Sequence, residues 1–265
     1  MSSRVVLRNE LTVGRHGLSA SFRRSRPYTL RAGEALAAPV WSSRVIYHLV
    51  TGWVCQYRNL PDGRRAIADV YLPGDVIGID AALLPRPRDE IAALTSVSVE
   101  FIAREAALVE LMASRPTALY IAWLLSQRQR RADHRLTAIS CLDARGRLAA
   151  TVLDFYTRSC RRKLPTGPTF ILPLTQIQIA NYLGLSVVCV NRVLRSLSDE
   201  RIFQLEKHCA TILDLDRLTS LAQNEITECP TSGPGECYKR EIAAEGSEVP
   251  VAQTTIPALS LAPSR

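Results

Sequence analysis

LTQIQIANYLGLSVVCVNRVLRSLSDERIF, residues 174–203, is the stretch from which the rest of the chain is read. Thr175 is a good helix N-cap, and Gln178 three residues on completes a capping-box pattern. Ile179 and Leu183 fall on one helical face, joined by Ile177 and Ala180. Gly184 stands where a helix must end and the chain must turn. Leu185 is an apolar turn residue and Ser186 a second N-cap. Val190, Val193, Leu194 and Leu197 then recur at helical spacing up to the polar Ser198, Asp199 and Glu200. Two amphipathic helices around Gly-Leu-Ser have the layout of a helix-turn-helix; spacing alone leaves a plain helical hairpin open as well. The residues after the second helix sharpen the reading. Residues 202–205 and 211–213 read as strands around a polar turn over 206–210, which makes the unit a winged helix. Asn191, Arg192 and Arg195 lie on the side of the second helix away from Val190, Val193 and Leu194. That arrangement is needed if one face packs and the other meets DNA.

Charge supports a polyanionic partner without deciding it. The net charge is +8, and it is uneven. Residues 225–265 hold six glutamates against three basic residues, so the first 224 residues carry 30 basic minus 19 acidic groups, or +11. Phosphate contacts release counterions and supply much of the affinity of such a body for nucleic acid. The chain begins without an apolar leader and has no run approaching 18 apolar residues, so neither a signal peptide nor a membrane span is expected. The seven cysteines (55, 141, 160, 189, 209, 229 and 237) are odd in number and scattered, without a CxxC pair. That argues against a disulfide framework or zinc ribbon and fits a reducing cytoplasm.

Outward from the opening stretch, residues 1–29 read as a basic, weakly patterned lead-in. Residues 30–115 carry short strands and turns: 45–50, 53–57, 66–72, 76–79 and 94–102, with a Pro61-Asp62-Gly63 hairpin turn. Many short strands at near-regular spacing mean a small sandwich or barrel. From Arg104 the period becomes helical, with a short helix over 105–114 and a long one over 117–142. The long helix is apolar at its ends and basic in the middle; it is either a dimer seam or a helix lying on its own β domain. Residues 143–147 interrupt it, 148–160 are helical again, and 161–168 form a basic loop. Residues 214–222 make a final helix, and 223–265 read as a disordered tail. The fold class is therefore α+β.

The order of these elements resembles the Crp/Fnr superfamily of bacterial transcription regulators. Three pieces carry the resemblance. One is Leu49-Val-Thr-Gly52-Trp-Val54 with Asp62-Gly63-Arg64 and Leu72-Pro-Gly-Asp-Val-Ile-Gly78, similar to the β-roll signature. Another is Cys141-Leu-Asp-Ala-Arg-Gly-Arg-Leu-Ala149, similar to the hinge before the DNA-binding domain. The third is the opening stretch. The resemblance implies a β-roll effector domain of the cyclic-nucleotide-binding, jelly-roll type over 30–115. It also implies a dimerisation helix over 116–142 and a winged helix-turn-helix over 143–222. Members that bind cyclic AMP hold the ribose with a Glu after the Gly-Asp-x-x-Gly turn and the phosphate with an Arg-Ser pair. Here the turn is succeeded by Ile79-Asp80-Ala81, and Arg86 and Arg88 sit among prolines beside Asp89 and Glu90. Cyclic-nucleotide binding is not expected. No cysteine precedes Cys55, so an iron–sulfur sensor of the N-terminal-cysteine type is not expected either. His48 and Cys55 are read as core or surface residues rather than haem ligands, and no cofactor or metal is expected.

The resemblance places the start of the second helix in the major groove. Ser186, Val187, Cys189, Asn191, Arg192 and Arg195 are then its outward residues. Thr175, Gln176 and Gln178, at the start of the first helix, would meet the DNA backbone. Many relatives carry Arg-Glu where this chain has Val187-Val188, and valine can only meet a thymine methyl. Arg192 is the candidate for guanine. At Cys189 a redox-gated contact and a merely small side chain both stay open. The expected function is that of a cytoplasmic, homodimeric transcription regulator on palindromic operators. RNA polymerase is a further partner, and the signal is unidentified. The alternative is a sensor whose C-terminal domain binds protein. An enzyme is not expected: the four histidines (16, 48, 134 and 208) are dispersed, and no nucleophile–base or metal-ligand spacing appears.

Overall fold

Where the sequence suggested a basic, weakly patterned lead-in, the first element is a 20-residue helix, α1 (Ser3–Phe22). In the computed structural model, which describes residues 3–36, 45–61, 63–83, 90–165 and 167–223, α1 packs along a second helix and against a β-roll. Asp62, Arg86, Arg88, Asp89 and the tail from residue 224 lie outside the described residues; Gln223 still belongs to the last helix.

The β-roll comprises β1 (Tyr28–Leu30), β2 (Val45–Thr51), β3 (Val54–Asn59), β4 (Arg65–Tyr71), β5 (Val76–Ile77), β6 (Glu90–Ala93) and β7 (Val97–Ala103), with a short α2 (Ile79–Leu83) after β5. The strands form two antiparallel sheets, ordered β1-β7-β2-β5 and β4-β3-β6. The strand expected over 94–102 forms only from Val97 onward, as β7; residues 94–96 are a turn between β6 and β7. Leu94 N donates to the Trp53 carbonyl and Thr95 Oγ1 accepts from Trp53 N, so these residues close the β2–β3 turn instead of extending a ladder. Likewise 76–79 is a two-residue strand that gives way to α2 at Ile79.

Alternation along the strands explains how the roll is used. Val54 and Tyr71 point between the sheets, into a core with Leu49, Ile77, Val97 and Val99. Trp53, Cys55, Tyr57, Val70 and Leu72 point the other way, and they are buried too. A sheet apolar on both faces must be covered on both. The outer cover is the C-terminal domain: one buried cluster runs from these residues through Phe155 into that domain's core, with Trp53 edge-on to Phe155 at 5.8 Å.

Three helices lead there: α3 (Arg104–Ala113), α4 (Arg115–Cys141) and α5 (Ala144–Arg161). Ser114 caps α4, with Pro116 in its first turn, where a missing N–H costs nothing. Asp143 caps α5, its carboxylate accepting from Gly146 N at 2.8 Å. Gly14 and Gly17 of α1 allow a close crossing of α4. A Cβ at Gly14 would lie 2.0 Å from the Pro116 carbonyl oxygen and 2.9 Å from Tyr120 Cβ. Leu18 and Phe22 are thereby buried with Ile46, Ile102 and Ile121.

Candidate nucleic-acid interface

The C-terminal domain sets two short helices against a three-stranded sheet. After β8 (Thr169–Ile171) come α6 (Gln176–Leu183), α7 (Val187–Asp199), β9 (Phe203–Glu206), β10 (Cys209–Ile212) and α8 (Leu215–Gln223). The capping box expected at Thr175 is formed in full: Gln178 N donates to Thr175 Oγ1 and Thr175 N to Gln178 Oε1. Gly184 ends α6 in the left-handed region, at φ 65° and ψ 36°, where a Cβ would be strained. Ser186 caps α7 by accepting from Cys189 N at 3.2 Å. The wing turn is tighter than 206–210: only Lys207 and His208 lie between the strands, both at positive φ. That is the two-residue hairpin geometry whose twist matches the flanking strands.

On α7, Val190, Val193 and Leu197 are buried and hold the helix to the core. The opposite stripe, at i, i+3, i+4 and i+7, is Val188, Asn191, Arg192 and Arg195, all exposed. Ser186 is exposed at the helix start, whereas Val187 and Cys189 are half-buried and pack against the core edge. Thr175, Gln176 and half-exposed Gln178 gather at the start of α6. The structure thus brings the nine residues singled out by sequence onto two neighbouring helices and reorders their prominence.

Two residues were missed or misplaced by sequence reasoning. Val188 is 68% exposed, far more than Val187, because it, and not Val187, falls on the stripe of Asn191 and Arg192. Ile177, expected on the inner face of its helix with Ile179, is 61% exposed. It lies two residues from Ile179, roughly 200° around the helix, and Ala180, Leu183 and Tyr182 complete the inner face without it. The signal available for both was angular position relative to Val190 and Ile179.

The end of α7 is tied down. Glu200 pairs with Arg145 of α5 and Arg217 of α8, and Ser196 Oγ donates to it at 2.9 Å. The α6 side is tied to α4, with the Arg135 guanidinium 4.8 Å over the Tyr182 ring.

The space between α4 and the sheet β4-β3-β6 holds a polar network. Arg128 donates to Gln56 Oε1 at 2.8 Å and pairs with Asp80 at 3.0 Å and Asp69 at 3.5 Å. Tyr71 Oη donates to the same Gln56 oxygen at 2.6 Å. Ile79, first after the Gly78 turn, is buried in an apolar cluster. Arg128 is thus committed to two carboxylates, and Arg131 also approaches Asp69, at 3.8 Å. His48 Nδ1 lies 3.1 Å from Glu100 Oε2 under Phe22, and the Cys55 thiol, pushed up in pKa by burial, sits on the other sheet. Among the described residues no helix by itself is long and apolar enough to cross a membrane, and no group of three or more metal-ligating side chains forms.

The Crp-like helix-turn-helix domain family matches residues 146–221, and the cyclic nucleotide-binding domain family matches residues 26–115. The chain is 31% identical over 159 residues to the nitrogen fixation regulation protein FixK of Rhizobium meliloti (strain 1021), covering 60% of this chain and 69% of that one. It is 27% identical over 209 residues to a CRP-like cAMP-activated global transcriptional regulator of Mycobacterium tuberculosis (strain ATCC 25618 / H37Rv), covering 78% and 92%. The solved structure of FixK2 from Bradyrhizobium japonicum matches with a TM-score of 0.66 at 25% identity, over 74% of this chain and 96% of that one. Helix α1 precedes both matched ranges. A β-roll, a long helix and a capped helix-turn-helix with its wing, in this order and with these likenesses, make the chain a member of the Crp/Fnr superfamily of bacterial transcription regulators.

Proposed function

We propose that this regulator reads a two-fold palindromic operator as a homodimer, with α7 of each copy in the major groove. The observation that carries this reading is the exposed stripe Val188, Asn191, Arg192 and Arg195 opposite the buried Val190, Val193 and Leu197. Arg192 supplies a bidentate donor for guanine O6 and N7, Asn191 a donor and acceptor for adenine, and Val188 an apolar surface for a thymine methyl. Ser186, Val187 and Cys189 flank that stripe at the helix start, and Arg195 reaches the backbone from its far end. Thr175, Gln176 and Gln178 contact phosphate where the N-terminal amides of α6 point outward.

Dimerisation runs along α4. Ala122, Ser126, Gln129, Asp133, Leu136 and Ser140 are exposed at alternating spacings of four and three, the geometry of a two-helix seam. The corresponding domain limits are 30–115 for the β-roll, 116–142 for the seam and 143–222 for the DNA-binding head. Residues 1–29 add α1 to the roll. The work is done in the cytoplasm, with RNA polymerase as the further partner and without catalysis. Cyclic AMP, named for the mycobacterial relative, does not carry over, because Arg128, Asp69 and Asp80 fill the space with their own pairing. Footprinting on an operator selected by the protein tests the reading. Two protected half-sites related by a dyad are expected, and protection of a single asymmetric site overturns it.

A further inference from the structure

The Pro73-Gly74-Asp75 turn belongs to the β-roll signature, yet its carboxylate faces the DNA-binding head. Asp75 is 8% exposed. Its Oδ2 accepts from Leu72 N at 2.8 Å and from Arg158 Nη2 at 2.9 Å, while Oδ1 accepts from Arg162 Nη2. Arg158 is 4% exposed and also donates Nη2 to the Val70 carbonyl at 2.8 Å and Nη1 to Asp154 at 3.3 Å. Arg158 stands in the last turn of α5 and Arg162 caps its end, with Arg162 Nη1 donating to the Arg158 carbonyl. Burial alone would raise the Asp75 pKa, but the Arg162 and Arg158 guanidiniums hold it below the ordinary carboxylate range. The group is therefore ionised at neutral pH.

Around it the contact between roll and head is apolar: Trp53 lies edge-on to Phe155, and Cys55, Val70 and Leu72 join the same buried cluster. Apolar contacts are non-directional and allow slip. A carboxylate shared by one guanidinium in the last turn of a helix and another at its C-cap is directional and allows little. We propose that Asp75, Arg158 and Arg162 are positioning residues for operator recognition: they fix the angle of α5, and with it α7, against the β-roll. In a dimer joined through α4, that angle sets the distance between the two recognition helices and hence the half-site spacing. The inference rests on the dimer-on-palindrome reading above.

The test uses the full chain and three operators: the palindrome selected by the wild type, and the same sequence with one base pair added to or removed from its centre. Asp75→Asn keeps an acceptor for Leu72 N and removes the charge. Arg162→Gln leaves the buried Arg158 pair intact, and Arg162→Lys keeps the charge. The wild type should prefer its own spacing. Asp75→Asn and Arg162→Gln should lower that preference by about five-fold, a magnitude usual for residues that couple two domains. Arg162→Lys should retain most of it. A merely structural role would weaken all three operators alike and leave the ratio unchanged; folded variants with the wild-type ratio overturn the proposal. If Asp75→Asn loses its far-UV circular dichroism, Arg162→Gln against Arg162→Lys decides alone. A wild type indifferent to spacing overturns the dimer reading, which is a different failure.

Discussion

Arg145 and Glu200 join the first turn of α5 to the end of α7 by two parallel hydrogen bonds of 2.7 and 2.9 Å. The pair anchors the C-terminal end of α7. The bonds from Arg145 and from Ser196 hold the Glu200 carboxyl at about 2. A carboxyl depressed in the folded state stabilises fully above its unfolded pKa of about 4.3 and loses that contribution as pH falls through the folded value. Glu200→Gln should therefore lower the melting temperature at pH 7, and the difference from wild type should shrink steadily between about pH 4.5 and 2. Thermal melts of both proteins across that window check it. A difference independent of pH would show that the ion pair is not the cause.

The crossing of α1 and α4 predicts an asymmetry between two glycines. Gly14→Ala drives a methyl group into the Pro116 backbone, which cannot yield without moving α4. Gly17→Ala meets only Thr117 Oγ1 at 3.1 Å, a contact relieved by a shift of a few tenths of an ångström without moving backbone. Gly14→Ala should cost about 1–3 kcal/mol of stability by overpacking. Gly17→Ala should be near neutral, since a helix gains from replacing glycine. Urea unfolding of the two variants checks the order.

That helix also marks where the sequence ran out. Leu7, Leu11, Leu18 and Phe22 keep a helical period, but the positions between them hold Gly14, Gly17 and arginines, which read as breakers and solvent. The glycines are there because a neighbouring backbone passes close, and that neighbour is some hundred residues away. The winged helix was legible because its signals are local: a cap at Thr175, a left-handed stop at Gly184, a second cap at Ser186. Ile177 was misjudged for a related reason. It is apolar, and an apolar residue next to the core face is readily counted into it. Only the angle from Ile179 shows that it faces outward. The β-roll strands 45–50 and 66–72 were found by their composition. The 94–96 turn was not, because Leu94 and Thr95 bond Trp53 across the sheet.

The stripe on α7 predicts two kinds of loss. Arg192→Ala should cost about 1–3 kcal/mol on the selected operator and relax the preference at one base pair. Val188→Ala should cost less and act only where a thymine methyl is met, so replacing that thymine by uracil should weaken the wild type and leave the variant unmoved. Val187→Ala, at a half-buried position, should change stability more than sequence preference. Affinities on a panel of single-base operator variants separate the three.

The dimer-on-palindrome reading is decided by selecting binding sites for the purified full chain from random-sequence duplex DNA. A palindrome whose half-sites are centred about one helical turn, or 10 bp, apart should be enriched. Enrichment of an asymmetric single site, or of no sequence at all, would contradict it.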